Sequence, residues 1–229
     1  MLAYAAAVVA ASALLAFLYW RYVWFFRDPQ RTPPDEPGIL SPADGTVVYV
    51  RRVAPSEDVV VIKRGLSATV RDLMREDFEG EKLVIGIFMS PLDVHYNRAP
   101  IAGQVRFVKH HPGYGANRHM GPMHARILLR HPPYYAGSAH IVANERTVTC
   151  FAGAHAGTEL HAYVVQIGAR TVNGIESYFE PGESIDRGQT FGMIRVGSQV
   201  DLILPWRAEF VARVVPGDRV RAGESILVR

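Results

Sequence analysis

The chain has 229 residues, 48% hydrophobic and 21% charged, with a net charge of +3. That length accommodates one sizeable core or two small domains, and the composition excludes a disordered chain. The mildly basic balance suits an anionic membrane surface without pointing to nucleic acid, and the lone Cys150 excludes an internal disulfide.

Residues 2–20 carry no charge and almost no polar group. About 20 apolar residues are needed to cross a bilayer as a helix, so the run is just long enough. It ends in Tyr19, Trp20, Tyr22, Trp24, Phe25 and Phe26 with Arg21 and Arg27, the residue types that settle at a membrane interface. Residues 1–27 therefore read as a membrane anchor. No basic segment precedes it, as a cleavable signal peptide would require. Its alanine content leaves both a full span and a monotopic insertion open. The positive charge follows the apolar run, which predicts a body on the cytoplasmic side of the cell membrane.

Four prolines in the eleven residues 28–38 make a stiff spacer into the body, residues 28–229. Asp44-Gly45 is a tight-turn signal ahead of a strand over residues 46–50. A short strand over residues 59–62 and a helix over residues 67–77 follow, the helix with Val70, Leu73 and Met74 on one face. Residues 82–89 are apolar almost throughout and predict a central strand buried on both faces. The strand runs directly into the polar segment Ser90-Pro-Leu-Asp-Val-His95, a common place for a site on a rigid scaffold.

Residues 103–144 hold His110, His111, His119, His124, His131 and His140. None of these pairs has the helical spacing of a zinc motif, and no second cysteine exists, so no metal is expected. A solvated loop, or a surface meeting lipid headgroups, is the expected use. Strands are predicted over residues 147–151, 160–167 and 171–175, with Cys150 as a small buried hydrophobe.

The end of the chain repeats itself. Pro181-Gly-Glu-Ser-Ile-Asp-Arg-Gly-Gln189 is matched 35 residues on by Pro216-Gly-Asp-Arg-Val-Arg-Ala-Gly-Glu224. Each copy sets two glycines around an apolar residue, which suits hairpins with positive φ. The pattern is similar to the hairpins of lipoyl- and biotinyl-type barrel-sandwich domains, but no lysine stands where those attach a prosthetic group. The expected fold is mainly β (α+β), with barrel-sandwich-like hairpins and few helices, preceded by the N-terminal membrane helix. Residues 191–205 read as two apolar strands meeting in a bulge at Gly197-Ser198.

Four segments then stand in order: Phe25-Phe-Arg-Asp-Pro29, Ser41-Pro-Ala-Asp-Gly45, Ser90-Pro-Leu-Asp-Val-His95 and Phe191-Gly-Met-Ile-Arg-Val-Gly-Ser198. With the anchor, this arrangement closely resembles the phosphatidylserine decarboxylase proenzymes of the short bacterial and archaeal type. The resemblance implies self-cleavage between Gly197 and Ser198. The Ser198 hydroxyl attacks the preceding carbonyl and forms an ester, elimination releases residues 1–197 as a β chain, and hydrolysis of the dehydroalanine with loss of ammonia leaves a pyruvoyl group heading residues 198–229, the α chain. That covalent cofactor would form a Schiff base with phosphatidylserine and accept the electrons left by carbon dioxide. The partners implied are membrane phosphatidylserine and the two chains as a heterodimer, with a higher oligomer open and no nucleic acid.

The resemblance also implies catalytic roles for Ser198, His95 and Asp44. The second histidine of the family's His-x-x-His motif is Arg98 here. Either His95 serves both self-cleavage and later protonation, or Asp44 works with another group. Arg98 and Arg146 are candidate contacts for the phosphate or carboxylate of the substrate, because the guanidinium fork suits both. Two further readings are carried: a pyruvoyl decarboxylase of a soluble amino acid, and an unprocessed membrane-anchored β-rich interaction module.

Overall fold

The computed structural model describes residues 1–169, 174–195 and 197–229. Helix α1 (Leu2–Tyr19) continues as a π-helical turn over Trp20–Trp24. It is long and apolar enough to cross a membrane, and none of it is buried against the body. Beyond the spacer come β1 (Ile39–Leu40), β2 (Gly45–Val53), β3 (Asp58–Lys63), β4 (Leu66–Thr69), α2 (Val70–Met74), β5 (Lys82–Met89), β6 (Tyr96–Arg98) and β7 (Gly103–His111). Then follow α3 (Gly121–Leu128), α4 (His140–Ala143), β8 (Arg146–His155), β9 (Thr158–Gly168), β10 (Ile175–Ser177) and β11 (Ser184–Ile185). The last strands are β12 (Thr190–Ile194), β13 (Ser198–Pro205), β14 (Arg219–Val220) and β15 (Ile226–Val228).

An eight-stranded antiparallel sheet in the order β11-β7-β8-β9-β13-β5-β2-β14 forms the body. The fold is mainly β, as the composition and the hairpin signals predict. The two Pro-Gly repeats supply its two edge strands, β11 and β14. Gly182, Gly188, Gly217 and Gly223 all have positive φ, the conformation that glycine adopts without a Cβ penalty. The sheet curls until the turns beyond its edges meet: a Cβ on Gly188 would lie 3.5 Å from the Gly223 carbonyl oxygen. Strand β5 is buried along its full length. Its one charge, Lys82, is paired with Asp77 at 2.8 Å.

Side chains alternate across a strand, so register assigns the faces. Ser198 pairs with Met89 and Gly168, and Gln199 pairs with Phe88 and Ile167. On the Gln199 face lies the segment carrying α3 and α4, where His140 Nε2 meets Gln199 Oε1 at 2.9 Å. On the Ser198 face lies a small sheet ordered β10-β12-β6. It is joined to the large one by Gln166 Nε2 donating to Asn97 Oδ1 at 2.8 Å.

Several expectations are corrected. The helix over residues 67–77 shrinks to Val70–Met74, because residues 66–69 pair with β3 instead. A capping box starts it: Thr69 N–H donates to Asp72 Oδ2 while Asp72 N–H donates to Thr69 Oγ1. Arg75, at φ +63°, ends it. The histidine-rich stretch is not one loop: His110 and His111 lie on β7, His124 on α3, and His140 on α4. Of the strand predicted over residues 171–175, residues 171–173 lie outside the described residues, and β10 begins at Ile175. The strands flanking Gly197-Ser198 do not pair with each other. β12 belongs to the small sheet and β13 to the large one, so Gly197 lies where the chain changes sheet.

A buried polar cluster braces β13 from the Gln199 face. Tyr49 donates its hydroxyl proton to Asp201 Oδ1 at 2.7 Å, and Gln199 Nε2 donates to both Tyr49 Oη and Asp201 Oδ1 at 2.8 Å. The Tyr49 ring lies across Gly86, where a Cβ would come within 2.4 Å of it. Gly86→Ala is therefore expected to cost about 1–3 kcal/mol through overpacking. That lowers the melting midpoint by several degrees; an unchanged midpoint would mean the ring moves freely.

Candidate active site

Ser198 is fully buried as the first residue of β13, and its Oγ has Met89 Sδ as its hydrogen-bond neighbour at 3.6 Å. A thioether is a weak acceptor, so among the described residues the hydroxyl is not committed to a strong hydrogen bond. Gly197, at φ +69°, is in the left-handed region. A Cβ there would meet Ala169 Cβ at an ordinary 3.6 Å. The requirement for glycine is thus conformational rather than steric.

His95 reaches the same end of the sheet by a different route. After β5 ends at Met89, the ladder partner of Ser198, the chain turns through Ser90–Asp93. Ser90 N–H donates to Asp93 Oδ2 at 2.8 Å in that turn. His95 follows, and its carbonyl accepts the Ile194 N–H at 3.1 Å from the strand leading into Gly197. The His95 ring is fully buried, and the Phe25 ring at the foot of the anchor lies 4.4 Å away. Its Nδ1 is 3.0 Å from the Asp93 carbonyl oxygen, so Nδ1 carries the proton and Nε2 keeps its lone pair. Nε2 is buried and has no hydrogen-bond partner among the described residues. Burial pushes the imidazole pKa down to about 4, against smaller raising contributions from the Asp93 carbonyl and carboxylate. At neutral pH the ring is an uncharged base.

Asp44 is held apart from His95 by other partners. Its Oδ1 accepts the Ala222 N–H at 2.7 Å and its Oδ2 accepts from Arg31 at 2.9 Å. Burial raises its pKa, opposed by these same two contacts. Asp44 thus ties the spacer and the start of β2 to the C-terminal segment.

Arg98 and Arg146 are likewise engaged. Arg98 donates to the Gly188 and Pro29 carbonyls and pairs with Asp28. Arg146 is fully buried and donates to the carbonyls of Asp72, Leu73, Ile141 and Asn144. Its pKa falls to about 10, chiefly through burial.

Two site residues escaped the sequence reading. Asn97 Nδ2 contacts Met89 Sδ at 3.8 Å, and Gln166 supports Asn97 while its own Oε1 is buried and has no partner among the described residues. The signal for Gln166 was available: a lone amide in an otherwise apolar buried strand needs a reason to be there.

The family model described as phosphatidylserine decarboxylase matches residues 18–228. The chain belongs to the phosphatidylserine decarboxylase family. A phosphatidylserine decarboxylase proenzyme of Symbiobacterium thermophilum is 31% identical over 238 residues, covering 97% of this chain and 90% of the relative. One from Desulfotalea psychrophila is 34% identical over 209 residues, covering 90% and 77%. A Methanocaldococcus jannaschii protein provisionally named archaetidylserine decarboxylase proenzyme is 36% identical over 220 residues, covering 96% and 92%. In this chain Ser198, Met89, Asn97 and Gln166 stand together around the junction of the two sheets, and His95 lies on the anchor side against Phe25.

Proposed function

We propose that this family member is a membrane-bound proenzyme that cleaves itself between Gly197 and Ser198 and then decarboxylates phosphatidylserine to phosphatidylethanolamine. The observation that carries the reading is a buried, weakly held serine hydroxyl directly after a glycine in the left-handed region, at the start of a central strand. Ser198 Oγ attacks the Gly197 carbonyl carbon as its proton leaves to a base, and the peptide C–N bond breaks to give an ester. Removal of the Ser198 α-proton then expels the Gly197 carboxylate, and water replaces the nitrogen, which departs as ammonia. His95 is the base in this reading, since its Nε2 is buried and has no partner among the described residues.

A pyruvoyl group at position 198 would supply a ketone able to condense with an amine and to accept the electrons released with carbon dioxide. The residues present suit such a group: Met89 leaves the Ser198 position without a strong competing donor, and Gln166 Oε1 is a spare acceptor nearby. His95 is suited to hold the proton returned to the substrate carbon. In this reading Arg98 and Arg146 serve the fold rather than the substrate, a role supported by the Arg98 Nη1 and Nη2 groups and the Arg146 guanidinium donating within the protein. Asp44 acts in support, holding residues 1–197 to residues 198–229 through Ala222.

The two chains stay together after cleavage by simple topology. β13 keeps ladders to β5 and β9, β14 pairs with β2, and β15 pairs with β1. The anchor explains a lipid substrate: the Trp20 indole donates to the Pro91 carbonyl at 3.3 Å and Phe25 packs on His95, so the reacting end adjoins the membrane helix. The test is release of carboxyl-labelled carbon dioxide from phosphatidylserine vesicles compared with free serine. Release from the lipid alone is expected; turnover of free serine at a similar rate would favour a soluble substrate.

A further inference from the structure

The segment carrying α3 leaves an apolar surface that the reaction does not use. Leu92, Leu128 and Leu129 are 66%, 71% and 78% exposed. Leu92 and Leu128 share a groove of 230 Å³ with Pro91, Phe88, His124 and Ile127. Isolated exposed leucines are ordinary, but a contiguous set marks a contact surface. The position of this set identifies what it meets. Trp20 donates to the Pro91 carbonyl at 3.3 Å and Arg27 to the Leu92 carbonyl at 2.6 Å, so the groove begins at the foot of α1. A surface continuous with the point where a membrane helix leaves the bilayer must lie at headgroup depth.

Charge agrees with position. The sequence contains no Asp or Glu between Asp93 and Glu145, while Arg118, Arg126 and Arg130 all fall there. Arg130 directly follows the two leucines and is exposed. Basic residues beside exposed leucines are what an anionic bilayer surface attracts. Met123 on the same helix is buried, so α3 is anchored inward while its C-terminal end stays outside.

We infer that the Leu92–Leu128–Leu129 surface, with Arg130 beside it, is a second membrane-docking site that seats the body against anionic lipid next to the anchor. The inference rests on α1 being a membrane helix, and its function would be orientation: two separated contacts stop the body swinging about the spacer. That holds the His95 end against the headgroups from which substrate comes.

The full chain can be labelled at single introduced cysteines, because Cys150 is buried and its thiol pKa is pushed up to about 11 by burial. Leu129→Cys, Leu14→Cys and Thr158→Cys would carry an environment-sensitive fluorophore. Thr158 lies at the turn end of the β8–β9 hairpin, the full length of β8 away from Arg146. In vesicles of phosphatidylcholine with phosphatidylglycerol, nitroxide lipids should quench the labels at Leu14 and Leu129 but not at Thr158. Omitting phosphatidylglycerol, or adding Arg130→Gln, should weaken quenching at Leu129 alone, the substitution by about fivefold at low salt. Quenching at Leu14 with Leu129 as solvent-exposed as Thr158 would overturn the docking site and leave the anchor standing. Absence of quenching at Leu14 would overturn both. Self-quenching at Leu129 that follows protein density would assign the surface to a second copy and also overturn the inference.

Discussion

Ser198→Ala is expected to yield a single stable 229-residue chain with no decarboxylase activity, whereas the unsubstituted protein is expected to be recovered as two chains, residues 1–197 and 198–229. The substitution removes one oxygen whose hydrogen-bond neighbour is Met89 Sδ at 3.6 Å, so little folding energy is lost. β13 keeps its backbone ladders to β5 and β9 whether or not the hydroxyl is present. The variant should therefore melt close to the native protein while losing all cleavage. Intact-mass measurement decides the matter, since the smaller native chain should also lack a free N-terminal amine. Two chains from Ser198→Ala, or an active native protein that remains one chain, would remove the proposed cofactor from the account.

The second large effect is expected at His95. His95→Ala should slow self-cleavage by about 10²–10⁴-fold, the range of a positioned general base. The pH dependence is distinctive. An ordinary histidine titrates near 6.5, but burial pushes this one down to about 4, so it is already neutral across the physiological range. Cleavage of freshly made precursor should be flat between about pH 6 and 8 as far as this group is concerned. Stability follows the opposite side of the same shift. The unfolded chain binds a proton below about 6.5 that the folded His95 refuses until about 4, so stability declines as pH falls through that window. His140, also pushed down to about 4 mainly by burial, acts in the same direction. A cleavage midpoint near 6.5 in the native protein, or unimpaired cleavage in His95→Ala, would assign the base elsewhere.

This arrangement bears on the missing second histidine. Where the family motif offers a histidine, this chain has Arg98, bound to Asp28 and to the Gly188 carbonyl. Arg98 fastens the foot of the anchor to the turn beyond β11, at the point where the curled sheet meets itself. Asp44 likewise bonds to Arg31 and Ala222 rather than to the imidazole, and His95 takes its orientation from the Asp93 carbonyl. A backbone carbonyl fixes the tautomer as well as a carboxylate does, but adds no full negative charge. The result is a neutral base, with less stabilisation of the imidazolium than a buried carboxylate would provide.

Much of this was legible in the chain itself. Uncharged residues 2–20, the apolar run 82–89 and the paired Pro-Gly repeats each report a local constraint: bilayer thickness, burial on both faces, and turns with positive φ. The order of the four motifs identified the family and directed attention to Gly197-Ser198 and His95. What the chain alone left undecided depends on partners distant in sequence. Arg98 and Arg146 read as candidate substrate contacts, and the carbonyls around them become known only from the tertiary structure. Gln166 could be noticed as an amide in a buried apolar run, but Asn97 and the bond between them emerge only when β9 and β6 meet above Met89. The bend at Gly197 looked like a bulge between paired strands, because both flanks are apolar and periodicity does not reveal which sheet a strand joins. Pairing is set by long-range register and by the curl of the whole sheet, and that curl makes Gly197 the crossing from one sheet to the other.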